Sequence, residues 1–164
     1  MVDVPTNDSS LAAVKIYLRE HVDDGVPCPA CSQTVQLYKR KITRGVLEEL
    51  IAVFRAGGTT RWVELADLKT RGLCPTGGTQ LGKASYFGVV EQGHGIPDGH
   101  ADGAPRGWWR VTRQGEDWIR GRYTIPHHTK LVFDGGTYGE QGGPWTVEDA
   151  YKEPFDLQTA FGEL

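Results

Sequence analysis

Apolar positions recurring every three or four residues mark out the helical part of the chain. Leu11, Val14, Leu18 and Val22 form the first set, preceded by the capping residues Asn7, Asp8 and Ser9 and ended by Asp23-Asp24-Gly25. From Val26 to Tyr38 the pattern changes. Pro27 and Pro29 exclude helix, and the later β-formers predict a short extended piece with Cys28 and Cys31 on its turn. Ile42, Val46, Leu47, Leu50, Ile51 and Phe54 give the strongest helical set, stopped by Gly57-Gly58. Trp62, Leu65 and Leu68 predict a third helix over 62–71, capped by Thr59 or Thr60 and closed by Gly72. After the turn-forming Cys74-Pro75-Thr76-Gly77-Gly78, Thr79 is placed to cap a fourth helix that Gly88 ends. Leu81, Ala84 and Phe87 would face inward there, leaving Gln80, Lys83, Ser85 and Tyr86 outside.

A different pattern follows. Val89-Val90 begins a strand, and Glu91 to Arg106 is nearly devoid of apolar residues, as expected of a hairpin tip. Trp108 to Val111 is the return strand, with Trp108 and Trp109 pointing to opposite faces. Thr112 then caps a short helix carrying Trp118 and Ile119. Two adjacent short helices, a two-stranded wing and a closing helix are the order of a winged helix-turn-helix, in which the second short helix reads DNA. The expected fold is therefore α+β: a winged helix-turn-helix core with an N-terminal helix and a small C-terminal β-hairpin and helix appendage. In that division residues 1–122 form the winged-helix domain, including the Cys-x-x-Cys turn, and residues 123–164 the appendage packed on it. Within the latter, Tyr123-Thr124-Ile125 and Leu131-Val132-Phe133 read as strands and Asp134-Gly135-Gly136 as a hairpin turn. Thr146 with Asp149 forms a helix start that Pro154 interrupts, and Asp156 can cap last turns through Leu157 and Phe161.

At 164 residues with 38% apolar content the chain suffices for one well-buried domain. It has no membrane-length apolar run and no signal-peptide pattern at its start, so a soluble protein of the cytoplasm is expected. The net charge of −3 conceals an uneven distribution. Between Lys39 and Lys130 fifteen Lys and Arg accompany nine Asp and Glu, a local +6, while the flanks carry −9. That basic middle suits either a phosphate-facing surface or an ordinary solvated one. Lys39, Arg40, Lys41 and Arg44 are its densest cluster, fit for phosphate contacts. Gln80, Lys83 and Tyr86 are the candidates for the major groove, and Arg106 and Arg110 of the wing for the DNA backbone.

Three cysteines do not make a secreted disulfide framework. Cys28 and Cys31 can grip one side of a Zn²⁺ ion, with His21, Cys74, His94 and His100 as candidates to complete four ligands; the alternative is a purely structural turn. A redox role lacks the surrounding βαβ pattern. His94, His100, Asp98 and Asp102 of the hairpin tip can bind a metal or tune the wing with pH, or simply face water, and His127-His128 is equally open. Glu48-Glu49 and Asp23-Asp24 read as surface pairs. The chain lacks a phosphate-cradling Gly-rich loop with its Lys, a His-Glu-x-x-His helix and a Gly-x-Ser-x-Gly elbow, so no enzyme activity is expected.

Cys28-Pro29-Ala30-Cys31, Leu37-Tyr38-Lys39-Arg40-Lys41-Ile42, Tyr86-Phe87-Gly88-Val89-Val90-Glu91, Gly107-Trp108-Trp109-Arg110-Val111-Thr112 and Val132-Phe133-Asp134-Gly135 together resemble a group of uncharacterised proteins encoded by tailed bacteriophages and prophages. The middle of the chain is also similar in pattern to winged-helix regulators of the MarR and PadR type. The phage group brings no function with it; the helix-turn-helix order and the basic middle together predict a phage-encoded protein that binds duplex DNA, with transcription regulation as one role. The acidic ends and spare aromatic residues fit an alternative, a module that binds and modulates a host protein without DNA.

Overall fold

The helix with the strongest apolar periodicity is the one about which the rest is built. In the computed structural model, which describes residues 4–6, 8–74, 80–93, 107–131 and 137–152, this helix (α2, Arg44–Gly57) has Val46, Leu47, Leu50, Ile51, Val53 and Phe54 all buried. Burial of each such side chain is worth about 1.5–3 kcal/mol, so α2 dominates the core energetically. It ends where Gly58, at φ +58°, turns its amide back to the carbonyl of Phe54.

Among the described residues the chain is α+β, with six helices and three small antiparallel sheets. Helix α1 (Leu11–His21) is capped by Ser10, whose hydroxyl accepts from the Ala13 amide; Asp8 and Ser9 lie outside the cap position and Asn7 outside the described residues. Its buried side chains are Val14 and Tyr17, while Leu11 is exposed. Strands β1 (Val26–Pro27) and β2 (Thr34–Val35) form a hairpin around the cysteine pair. Strand β3 (Tyr38–Arg40) follows.

The expected helix over 62–71 is shorter than the spacing predicts. Val63–Glu64 is strand β4, and only Leu65–Thr70 is helix (α3). The reason is a long-range pairing: Val63 lies opposite Trp109 and Glu64 opposite Trp108 of β6 (Trp108–Val111). β-Branched Val63 favours the extended state, and the pairing with β6 decides. Helix α4 (Leu81–Ser85) is likewise shorter than expected, with Gln80 rather than Thr79 at its start; Thr79 lies outside the described residues. Strand β5 (Val90–Gln92) pairs with β6, Glu91 opposite Arg110, giving the sheet order β4-β6-β5. Trp109 is buried and Trp108 only partly so, the alternation expected of a half-buried strand.

Thr112 caps α5 (Arg113–Ile119), accepting from the Gly115 amide at 3.0 Å and donating to the Gly88 carbonyl at 2.6 Å. Gly115 has no room for a side chain: a Cβ there would sit 2.0 Å from the carbonyl oxygen of Val89. The strand-to-helix joint is thus pressed directly onto the residue that precedes β5.

Tyr123-Thr124 is not strand. Instead β7 runs Ile125–Leu131 through Pro126 and both histidines, and β8 spans Thr137–Trp145. β3 pairs only with Thr129 to Leu131, so Pro126, which cannot donate, lies beyond that pairing. The sheet order is β3-β7-β8. Helix α6 (Val147–Tyr151) begins with the reciprocal capping box of Thr146 and Asp149. The Thr146 amide and hydroxyl both donate to Asp149, holding its carboxyl below the ordinary range. The expected turn at Asp134-Gly135-Gly136, the strand residues Val132-Phe133, and the expected last turns from Asp156 to Phe161 lie outside the described residues.

Contacts divide the chain into two units, Met1–Arg40 with Thr129–Glu140, and Lys41–His128 with Gln141–Leu164. The second contains α2 through α6 apart from the ends of β7 and β8. In it Trp118, fully buried, donates to the Trp145 carbonyl at 2.9 Å, and Trp145 donates to the Ile42 carbonyl at 3.3 Å. No helix among the described residues is long and apolar enough to cross a membrane.

Candidate nucleic-acid interface

Helix α4 is amphipathic over little more than one turn. Leu81 and Ala84 are fully buried and Phe87 nearly so, which leaves Gln80, Lys83 and Tyr86 on the outer side. The Lys83 ammonium donates to the Gln80 side-chain carbonyl, so the two present an ammonium beside an amide. Tyr86, 40% exposed, stands at the end of the helix. The Ser85 hydroxyl is engaged with the Gly82 carbonyl at 2.9 Å.

A buried carboxylate sets where α4 begins. Glu49 of α2, 3% exposed, accepts the Gln80 amide at 2.8 Å and the Lys69 ammonium of α3 at 3.2 Å. One side chain thereby ties the start of α4 to α3. The sequence pattern assigns Glu48-Glu49 to the surface. Only Glu48 fits, pairing with Arg44 at 2.9 Å, because neighbours on a helix are about 100° apart and Glu49 falls on the inner face. Beside it, burial and then the Glu49 charge push the Cys74 thiol up to about 11.

The residues expected on a wing are differently placed. Arg110 donates to Glu91 at 2.8 Å across the β5–β6 pair, and its guanidinium lies 4.5 Å from the centroid of the Trp62 ring. Its charge is therefore balanced locally. Trp62 Nε1 is buried with no hydrogen-bond partner among the described residues. Arg106, and the tip residues His94, Asp98, His100 and Asp102, lie outside the described residues.

The basic run beginning at Lys39 is split between the two units. Lys39 and Arg40 belong to β3 in the first, with the Arg40 guanidinium 5.4 Å from the Tyr38 ring centroid. Lys39 sits directly opposite Lys130. Like charges across a strand pair repel, so this spot is a concentrated positive feature that the sequence pattern does not reveal. In the second unit Lys41 is exposed, whereas Arg44 is held by Glu48 and packs 4.4 Å from the centroid of Tyr151.

The candidate metal ligands are also apportioned by the fold. The Ala30 and Cys31 amides donate to the Cys28 sulfur and hold that thiol below its ordinary range. His21 has Nδ1 2.8 Å from the Tyr17 carbonyl, and its ring stacks on Tyr17. Cys74 is buried in the second unit with Glu49 and Lys69. Among the described residues, no three Cys, His, Asp or Glu converge as a metal cluster. His127 stacks on Trp145 at 4.1 Å and lies against Gly142, where a Cβ would approach within 2.8 Å, so its ring is a packed side chain.

No protein-family model, curated protein or solved structure matches the chain.

Proposed function

We propose that the second unit contains a winged helix-turn-helix core and that the protein binds duplex DNA through α4. The observation that carries this reading is the order α2, β4, α3, α4, β5, β6, together with the sheet order β4-β6-β5. In that arrangement α3 and α4 are the helix-turn-helix, and the β5–β6 hairpin is the wing. Gln80, Lys83 and Tyr86 enter the major groove, where an amide matches adenine and an ammonium matches guanine acceptors. Glu49 fixes the pose of α4, and Arg110, tied to Glu91, stiffens the base of the wing. Lys41, exposed in the same unit, adds a phosphate contact that gives affinity without sequence information, while Lys39, Arg40 and Lys130 are a separate positive feature of the first unit. No catalytic step belongs to this reading. A phage-encoded regulator of transcription is the role it fits.

Titrating a labelled random-sequence duplex at several salt concentrations tests the proposal. Affinity should fall with salt, and Lys83→Ala and Tyr86→Ala should weaken it, while Arg110→Ala should cost less because its charge is already balanced.

That same balance at Arg110, with 40% exposed Tyr86 and 54% exposed Leu73, favours the second reading, a host-protein binding module. It requires a specific host protein to be retained after nuclease treatment and lost with Tyr86→Ala.

A further inference from the structure

We propose that the cavity between the last turns of α2 and α3 binds a small phosphate monoester whose carbon body is flat and apolar, whether or not α4 touches DNA. The cavity, of about 520 Å³, lies wholly within the second unit, and three arginines line it: Arg55, Arg61 and Arg71. None of its lining residues is acidic. Its floor is apolar, with Ala52 and Leu68 both buried. Such a volume suits a small organic ligand rather than a bare ion.

The walls are set by backbone. At the end of α3 the Gly72 amide, at φ +68°, donates to the Lys69 carbonyl at 3.1 Å and the Leu73 amide to the Leu68 carbonyl at 2.9 Å, the bond pair that turns a chain back over a helix end. That turn brings Arg71 and Leu73 to the cavity, with Leu73 left 54% exposed. At the end of α2 the Arg61 amide donates to the Gly57 carbonyl at 3.1 Å, and a Cβ built on Gly57 would lie 2.5 Å from the Val63 side chain. The bare Gly57 thus lets the connection fold against the helix end, bringing Arg61 to the cavity that Arg55 lines. Helix dipoles account for two of the arginines, since Arg55 in the last turn of α2 and Arg71 at the end of α3 each complement a negative C-terminus. Arg61 belongs to neither helix. Three guanidinium forks exceed what the two oxygens of a carboxylate can use, whereas a phosphate monoester offers three acceptor oxygens and nearly two negative charges. Asp67 pairs with Arg71 at 3.1 Å, with side chains 53% and 60% exposed, and so solvated a pair yields to a dianion. The floor and the exposed Leu73 receive the apolar body, and a guanidinium plane stacks on a flat one.

Isothermal titration of the full chain at low salt tests this, with phenyl phosphate and AMP as ligands beside inorganic phosphate and adenosine. One ester or both should bind, one per chain, at least about tenfold more tightly than inorganic phosphate, which lacks the body, or adenosine, which lacks the charge. Arg61→Ala should weaken that binding about 10- to 100-fold, and Arg61→Lys, which keeps the charge and loses the fork, at least several-fold. Asp67→Asn, which releases Arg71, should tighten it. Arg113→Ala, removing an exposed charge of α5 away from the cavity, should leave it unchanged. Failure of both esters to bind, inorganic phosphate or adenosine binding as tightly as the esters, or equal weakening by Arg61→Ala and Arg113→Ala would overturn the proposal. So would an Arg61→Ala chain that loses affinity for duplex DNA alone, which assigns the arginines to a nucleic-acid backbone.

Discussion

Replacing Glu49 by Ala removes a side chain that joins α2, α3 and the start of α4. Two groups lose a partner. The Gln80 amide, 2.8 Å from Glu49, is left without its acceptor, a loss of about 1–3 kcal/mol for a buried donor. The Lys69 ammonium, 3.2 Å away, loses this counter-charge. Stranding a fully buried charge costs about 3–5 kcal/mol, but the Lys69 side chain is 18% exposed, and partial access to water reduces its share to about 1–2 kcal/mol. The sum is about 3 kcal/mol, or a fall in melting temperature of roughly 6–12 °C for a chain of this size. Urea unfolding followed by tryptophan fluorescence measures it directly. Glu49→Gln, which keeps one acceptor, should lose about half as much. Adding Lys69→Met to Glu49→Gln should recover stability, since removing both charges leaves neither stranded. A loss below about 1 kcal/mol in Glu49→Ala, or strict additivity of Glu49→Gln and Lys69→Met, would refute the assignment of Glu49 as the tie between the helices.

Two further outcomes follow from packing and titration. Gly115→Ala should destabilise by about 3 kcal/mol or more, because its Cβ would meet the Val89 carbonyl at 2.0 Å and backbone cannot yield as a side chain can; Gly88→Ala, strained at φ +69° but with only the Gln114 side chain nearby, should cost about 1 kcal/mol, and chemical denaturation ranks the two. Cys74 should resist thiol reagents in the folded chain while Cys28 and Cys31 react first, as mass mapping would record. Its folded pKa of about 11 exceeds the ordinary 9.0, so the stability it contributes is complete below pH 9 and is lost as pH rises towards 11; Cys74→Ala should flatten that part of the stability–pH curve.

Where local chemistry decides the structure, the sequence announces it. The α2 periodicity with its glycine stop, the Thr112 cap and the Thr146–Asp149 box are all local signals, and each corresponds to an observed feature. Where a distant strand decides, the pattern misleads. Trp62, Leu65 and Leu68 have helical spacing, yet Val63–Glu64 is drawn into a sheet by Trp108 and Trp109, more than forty residues on. Pro126 and the two histidines look like a break, yet the strand passes through them to reach its β3 partner. The candidate interface shows the same division. Gln80, Lys83 and Tyr86 follow from the helix face they occupy. The pairing of Arg110 with Glu91, and of Lys39 with Lys130, depends on register, which no local pattern supplies. Nor does adjacency reveal which of Glu48 and Glu49 turns inward.

The most direct test of DNA binding through α4 is the salt dependence of affinity for a random duplex, measured for the natural chain and for Lys83→Ala. The account predicts a linear fall of log affinity with log salt concentration, and weaker binding in Lys83→Ala with a slope shallower by about one where Lys83 neutralises a phosphate. Absence of binding at low salt, or a curve for Lys83→Ala identical to that of the natural chain, would contradict it.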